Sequence, residues 1–241
     1  MAKILVTGST TGLGFFNAQR LIEADHQVYL HARDTAKANK VFSKLPKAAG
    51  VFSAELSDRE ACKKLAEEVN EVGTFDTIIH NAGVYDAPGP TLFEVNTMAP
   101  YLLTSLIKMP KKLIYLSSGL HKSGKPVLEE AQIENTTYAD TKLQILILMK
   151  AVASRFPKTH SNAVDPGWVP TRMGGKQATG DLEKGFETQL WLTTSDDKEA
   201  RVSGIYFHHK KKQQPNKEVE DPDLQDKVLK FYQELSGINL E

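Results

Sequence analysis

The chain is poor in the features that mark specialised classes of protein. It has a single cysteine, Cys62, so no internal disulfide can form, and a reducing cytoplasm is the expected setting. It has no net charge, because thirty basic residues balance thirty acidic ones, and so no field draws it to nucleic acid or an anionic membrane. Long apolar runs are also missing. The longest, Ile145 to Met149, falls far short of the roughly 18 residues a membrane span requires, and the N-terminus enters a strand at once instead of offering a cleavable leader. There is no internal repeat and no low-complexity region. The basic run from His208 to Lys212 has no partners at metal-ligand spacing and reads as a solvated loop, so no metal is expected. What remains is a soluble globular protein of 241 residues, long enough for one substantial core and suited to a small-molecule partner.

Short apolar strands alternate with amphipathic helical stretches from the first residues. That pattern predicts an α/β fold, a single-domain doubly wound (Rossmann) parallel sheet of about seven strands with helices on both faces. The strands are expected at Ile4 to Thr7, Val28 to His31, Gly50 to Ala54, Phe75 to His80, Leu113 to Ser118, Ser161 to Val164 and Val202 to Phe207. One domain spans 1–241. Within it the Pro- and Gly-bearing stretch of about 165–185 is too long for a routine connection and is expected to cover substrate, and a helical tail of about 221–236 follows a polar surface loop.

Directly after the first strand comes Thr7-Gly8-Ser9-Thr10-Thr11-Gly12-Leu13-Gly14, opening a helical pattern. A glycine-rich turn between a buried strand and a helix is the setting for a dinucleotide: glycine allows the tight turn and a close approach to the pyrophosphate, and the helix N-terminus supplies N–H donors. Gly8, Ser9, Thr11, Gly12, Leu13 and Gly14 are therefore candidate cofactor contacts. The second strand ends in His31-Ala32-Arg33-Asp34, and an arginine at this place accommodates the 2′-phosphate of NADP where an acidic residue would hold the ribose of NAD. Arg33 thus favours NADP(H), with NAD(H) as the alternative, and Asp34 reads as the cap of a helix beginning near Thr35.

Tyr138 and Lys142 stand one helical turn apart, which puts both on one helix face and near the same bound cofactor. A phenol of pKa about 10 exchanges protons poorly near neutrality. A positive charge about 4 Å away is worth on the order of 4 kcal/mol at an effective dielectric near 20, roughly three pKa units, so Lys142 is expected to lower it.

Taken with Asn81-Ala82-Gly83 after the fourth strand, Val95-Asn96, Ser117-Ser118 ending the fifth strand, and Pro166-Gly167-Trp168-Val169-x-Thr171, the chain resembles the short-chain dehydrogenase/reductase family over essentially its whole length. The resemblance implies NAD(P) at the carboxyl edge of the sheet and a catalytic tetrad of Asn96, Ser118, Tyr138 and Lys142. It implies that Tyr138 passes its proton to a carbonyl oxygen while the nicotinamide gives hydride to the carbon. Ser118 would hold that oxygen, Lys142 would grip the nicotinamide ribose, and Asn96 would order a water that refills the proton on Tyr138. Asn81, Ala82, Gly83, Pro166, Gly167, Val169 and Thr171 become further cofactor contacts. The expected activity is that of an NADP-preferring carbonyl reductase or alcohol dehydrogenase; the alternative is a non-catalytic NADP(H)-binding redox sensor, which need not keep a proton relay.

The chain departs from the family pattern in places. Glu55-Leu56 stands where an aspartate often meets the adenine, and His80 replaces a second asparagine before Asn81 and reads as a structural histidine. The stretch from Gly83 to Asn96 is short, which predicts a cut-back wall of the cleft. The stretch from Gly119 to Pro126 resembles an insertion in retinol-dehydrogenase-like relatives, which hints at a bulky or apolar carbonyl substrate; within it His121 is expected in solvent. The helix through Leu143, Ile145, Leu146, Ile147, Leu148 and Met149 is apolar on more than one face, and the second face is expected to meet another subunit of a homo-oligomer, a dimer or tetramer.

Overall fold

The apolar runs near Ile4, Val28, Val51, Ile78, Leu113, Ala163 and Tyr206 become the strands of one sheet in the computed structural model, which describes residues 1–240. They are β1 (Lys3–Val6), β2 (Gln27–Ala32), β3 (Gly50–Ser53), β4 (Thr77–His80), β5 (Lys112–Leu116), β6 (His160–Asp165) and β7 (Ile205–His208). These seven are parallel, and the spatial order is β3-β2-β1-β4-β5-β6-β7 with an eighth strand beyond β7. The order reverses between β1 and β4, the switch point where such sheets open a crevice at their carboxyl ends.

The eighth strand, β8 (Lys211–Gln213), pairs antiparallel with β7 and lies in the stretch expected to be a surface loop. Its three residues are exposed and none is apolar, so no alternation of hydrophobicity marks it. His209 and Lys210, both at positive φ, turn the chain in the manner of a tight hairpin, and the lysines suit an edge strand that must not recruit another.

Alternating strand residues feed two cores. On one face Leu5, Ile78, Leu113 and Tyr115 pack with α3 (Arg59–Val72), α5 (Ala99–Leu106) and α6 (Tyr138–Arg155). On the other Ile4, Val6, Ile79 and Ile114 pack with α1 (Gly12–Glu23), α2 (Thr35–Lys44) and α7 (Leu182–Thr194). The stretch between Gly83 and Asn96, expected to be cut back, holds a short helix, α4 (Gly89–Phe93).

Helix α6 is buried along nearly its whole circumference, and its second apolar face does not await another subunit. The C-terminal helix α8 (Pro222–Ser236) of the same chain covers it: Gln144 Nε2 donates to Tyr232 Oη at 2.9 Å, and the Tyr232 ring lies 5.0 Å from that of Tyr101. Asp221 caps α8 at its start, and Gly237, at φ 70°, closes its end. The expected subunit contact through α6 is thereby withdrawn. Among the described residues no helix is long and apolar enough to cross a membrane, and no cluster of His, Cys, Asp and Glu could hold a metal ion.

Candidate active site

A capping box fixes where α6 begins. Thr137 Oγ1 accepts from Asp140 N and the Asp140 carboxylate accepts from Thr137 N at 2.8 Å, so Tyr138 is the first helical residue and Lys142 follows one turn inward. The Lys142 ammonium is buried, donates to Leu116 O of β5 at 2.7 Å, and stands 5.3 Å from the centre of the Tyr138 ring. Burial pulls its pKa down to about 8.

Two residues after β5 ends, Ser118 caps a 3-10 turn (Gly119–Ser123), its hydroxyl accepting from Leu120 N at 3.3 Å while also interacting with the Tyr138 phenol. Ser117 turns the other way and donates to Lys142 O at 2.9 Å, tying β5 to α6. Asn96 sits in a π-helical turn (Glu94–Met98), a local widening that re-aims a side chain. Its Oδ1 accepts from Val84 N at 2.8 Å, and its Nδ2 donates to Val84 O at 2.9 Å and Thr141 Oγ1 at 3.1 Å. A Cβ on Gly83 would lie 3.1 Å from Asn96 Oδ1 and 3.6 Å from Lys142 Nζ, so the loop after β4 passes directly over both.

The phenol of Tyr138 is held above its ordinary pKa, first by burial and then by the charge of Asp165 and by Tyr85, with the Ser118 hydroxyl pulling the other way. This differs from the downward shift expected from Lys142. The ammonium lies over the ring and is itself disfavoured by desolvation, so it does not offset the burial of the phenol.

At the nucleotide end, Gly8 (φ 64°) and Gly12 (φ 59°) adopt left-handed backbone, and a Cβ on Gly8 would come within 2.8 Å of Ala82 Cα. Asn81 Nδ2 donates to Thr7 O at 2.9 Å and Gly8 O at 3.1 Å, and Ala82 N donates to Thr7 Oγ1, so Asn81 and Ala82 hold the glycine turn in shape. Ser9 is buried, paired with the backbone of His31. His31 is buried and neutral, its pKa pulled down to about 4 by desolvation; Nδ1 accepts from Gly8 N and Nε2 donates to Ala54 O. Thr11 makes no side-chain cap on α1, and no acidic residue occupies that helix's first turn, which leaves its N–H groups suited to the pyrophosphate of a dinucleotide.

The Arg33 side chain is 65% exposed and lies 3.7 Å from the Asp34 carboxylate, leaving the guanidinium reachable by a phosphate. Asp34 is engaged as a cap, accepting from Lys37 N at 2.8 Å and Lys37 Nζ at 2.7 Å. Glu55 is exposed, whereas the Leu56 side chain is in the core and can offer a ligand only its backbone. The loop after β6 folds back over this end: Thr171 meets the position of a Cβ on Gly12 at 3.5 Å, and Val169 is buried against Gly185 of α7. Gly167 turns at φ 76° beside Pro166.

Comparison with known proteins agrees with this architecture. The sequence profile described as short chain dehydrogenase matches residues 2–114. The chain is 41% identical to short-chain dehydrogenase chry4 of Gibberella zeae and 40% identical to short-chain dehydrogenase chyC of Penicillium rubens, each match spanning 100% of this chain and 99% of the relative. The chain belongs to the short-chain dehydrogenase family. Among solved structures, the NADP active-site complex of Pseudomonas aeruginosa RhlG superposes with a TM-score of 0.72 over 86% of this chain and 93% of that one, at 19% identity. This short-chain dehydrogenase is an oxidoreductase, and its doubly wound sheet is the family's fold.

Three residues at the catalytic end were not expected there. His121 is fully buried instead of solvated: its Nδ1 donates to Ser118 O at 2.7 Å and its Nε2 accepts from Asn216 N at 3.1 Å. Asp165, the last residue of β6, stands close enough to raise the pKa of Tyr138. Tyr85, 52% exposed, meets the Tyr138 ring edge-on with centroids 4.9 Å apart. Only Asp165 carried a readable signal, a carboxylate immediately before the Pro166-Gly167 turn. His80 is structural: it stacks on Tyr115 at 4.8 Å, and its Nε2 pairs with Thr104.

Proposed function

We propose that this short-chain dehydrogenase is an NADPH-dependent carbonyl reductase with Tyr138 as its proton donor. The observation that carries the reading is the meeting of Ser118, Tyr138 and Lys142 at the carboxyl end of β5, beside the crevice of the sheet. NADPH, when bound, supplies the hydride. Tyr138 gives the proton of its Oη to the substrate's carbonyl oxygen, and Ser118 donates a hydrogen bond that holds the same oxygen in place. The phenol is protonated at neutral pH and so holds the proton that reduction consumes, and because burial raises its pKa the release of that proton depends on the positive charge beneath the ring. Lys142 presents positive charge beneath the ring as the phenolate forms, and the low dielectric of its setting makes that charge effective. Asn96 fixes Val84 and hence the Gly83 backbone that covers Lys142.

Gly12 to Gly14 at the start of α1 would hold the pyrophosphate, the exposed Arg33 would meet the 2′-phosphate, and Val169 and Thr171 would meet the nicotinamide. A cytoplasmic setting, where NADPH is the common reductant, suits the buried free thiol of Cys62, whose pKa burial pushes up to about 12. The test is reduced-nicotinamide oxidation with NADPH and NADH against a panel of ketones, aldehydes and quinones. Substrate-dependent oxidation favouring NADPH is the expected result. Tight NADPH binding with no turnover across the panel would overturn the reductase reading in favour of a redox sensor.

A further inference from the structure

Asp165 is a carboxylate in the reaction centre that the proton relay does not use. It ends β6, in register beside His208 of β7. Its Oδ1 accepts from Gly167 N at 2.9 Å, which folds the Pro166-Gly167 turn. Its Oδ2 accepts from Tyr206 Oη at a long 3.3 Å and lies 3.6 Å from His208 Nδ1. Among the described residues no lysine or arginine pairs with it, and its side chain keeps 15% exposure, so the carboxylate is neither neutralised nor sealed off. A carboxylate offers about four acceptor sites, and a poorly hydrated one gains most from a further donor. The space beside Oδ2 is kept open by a missing side chain: a Cβ on Gly119, the residue after Ser118, would come within 3.2 Å of it. Asp165 Oδ2 thus lies beside the start of the turn that Ser118 caps, and the upward push that Asp165 gives the Tyr138 pKa agrees with a carboxylate on this side of the phenol.

The segments flanking this polar centre carry exposed apolar side chains. Tyr85, Leu120, Trp168 and Met173 are the large hydrophobic side chains left exposed near it, at 52%, 49%, 57% and 48%. Each belongs to a segment bordering the site: Tyr85 against Tyr138, Leu120 in the turn capped by Ser118, Trp168 and Met173 in the loop after Asp165, where Trp168 Nε1 donates to Gly174 O at 2.9 Å. Exposed apolar side chains on the segments that flank a few polar groups suit a flat or bulky apolar body with one polar point of attachment.

Resting on the carbonyl-reductase reading, we propose that Asp165 determines substrate choice by accepting a hydrogen bond from an N–H or O–H group close to the reacting carbonyl, so that the preferred substrates are apolar, aryl-bearing ketones that carry such a donor. A substrate lacking the donor would leave the carboxylate poorly satisfied when it covers the site. Sites that expect a hydrogen-bond donor discriminate far more strongly than sites that merely sense size.

The experiment compares α-hydroxyacetophenone, α-methoxyacetophenone and acetophenone as substrates with saturating NADPH, in the wild type, Asp165→Asn and Tyr206→Phe, with thermal melting of each. The wild type is expected to favour the hydroxy ketone over the methoxy ketone by at least tenfold in kcat/KM, and Asp165→Asn to lower that ratio at least fivefold. Tyr206→Phe is expected to keep or raise the ratio, since it removes a donor that competes for Oδ2. If Asp165 only held Tyr206, Tyr206→Phe would reproduce the effect of Asp165→Asn and the proposal would fall. Equal kcat/KM for the hydroxy and methoxy ketones in the wild type would also overturn it while leaving the reductase intact, a result that needs no folded variant. Turnover of no carbonyl compound at all would remove the reductase reading itself, and this proposal with it.

Discussion

The Lys142 ammonium donates to Leu116 O at 2.7 Å while standing 5.3 Å from the centre of the Tyr138 ring, so one buried charge is fastened to the sheet and aimed at one phenol. The bond to β5 fixes the ammonium by the strand, and the capping box at Thr137 fixes the tyrosine by the helix start. Tyr138→Phe keeps the ring and its contacts with Tyr85 and Lys142 but removes the transferable proton. We expect turnover to fall by at least roughly a thousandfold, the scale of a lost general acid, with the NADPH dissociation constant within a factor of a few of wild type. Steady-state kinetics paired with a fluorescence titration of NADPH checks both halves; undiminished turnover would remove the mechanism.

The depressed pKa of Lys142 makes stability depend on pH in a definite direction. Its folded value, about 8, lies below the ordinary 10.5, so between them the unfolded chain binds more protons, and the protein without added nucleotide gains stability as pH rises through this window. That stability is lost as pH falls toward 8. From pH 8 to 10 the gain is on the order of 2 kcal/mol. The buried tyrosines act oppositely at the alkaline end, because their raised pKa values cost stability as unfolded phenols ionise. Urea unfolding of wild type and Lys142→Met at both pH values separates the two effects, and a difference between the proteins that does not change with pH would contradict the assignment.

Two glycines at nearly equal φ should respond very differently to alanine. At Gly8 a Cβ would come within 2.8 Å of the Ala82 backbone, with φ at 64°; at Gly237, with φ at 70°, nothing lies within 4 Å. Gly237→Ala should therefore cost only the backbone term, about 1 kcal/mol. Gly8→Ala adds a steric clash to that term and distorts the turn that Asn81 holds, so we expect a loss of at least about 2 kcal/mol with NADPH binding weakened tenfold or more. Denaturation midpoints and nucleotide titration of both variants read the contrast.

Arg33 and Asp34 are neighbours with separable tasks. The guanidinium is exposed and reachable, whereas the carboxylate is committed to Lys37 and the start of α2. Arg33→Ser should raise the KM for NADPH at least tenfold and leave that for NADH almost unchanged. Asp34→Ala should cost about 1 kcal/mol of stability through the lost cap without altering the choice of nucleotide. An Asp34→Ala enzyme that switched its preference would place the discriminating group on the wrong residue.

Much of the fold was legible because it rests on local chemistry. Most of the seven parallel strands are built on short apolar runs, and Asp34 marks the start of its helix with a side chain suited to capping it. The eighth strand was illegible, since Lys211, Lys212 and Gln213 carry no alternation and pair only because a left-handed turn at His209 and Lys210 brings them back beside β7. The second face of α6 was misread for a related reason. Apolarity in a sequence shows that a face is covered, and says nothing of whether α8 of the same chain or another chain covers it. The spacing of Tyr138 and Lys142 was visible at once, whereas the sign of the phenol's shift depended on Asp165 and on burial, both products of tertiary folding.

His121 shows the same limit and leads to the last prediction. Its imidazole bridges two distant backbone groups: Nδ1–H donates a hydrogen bond to Ser118 O, and Nε2 accepts one from the backbone N–H of Asn216, 95 residues further along the chain. That fixes the neutral Nδ1–H tautomer, and the pKa is lowered by burial accordingly. His121→Ala leaves the Asn216 N–H without its partner, at a cost of about 1–3 kcal/mol, and takes from Ser118 O one of its two donors, the other being the backbone N–H of residue 121 at 3.1 Å. We expect a loss of about 2 kcal/mol or more in stability, and in the molecules that remain folded a fall in kcat with the NADPH dissociation constant unchanged, because the nucleotide end lies on other elements. Protonation should act alike in the wild type: the folded pKa lies below the ordinary 6.5, so the histidine's contribution to stability is present above pH 6.5 and lost as pH falls through the folded value. Urea unfolding from pH 7 downward in the two proteins tests this, and a difference between them that fails to shrink toward acid would show that His121 does not hold Ser118 in its neutral form.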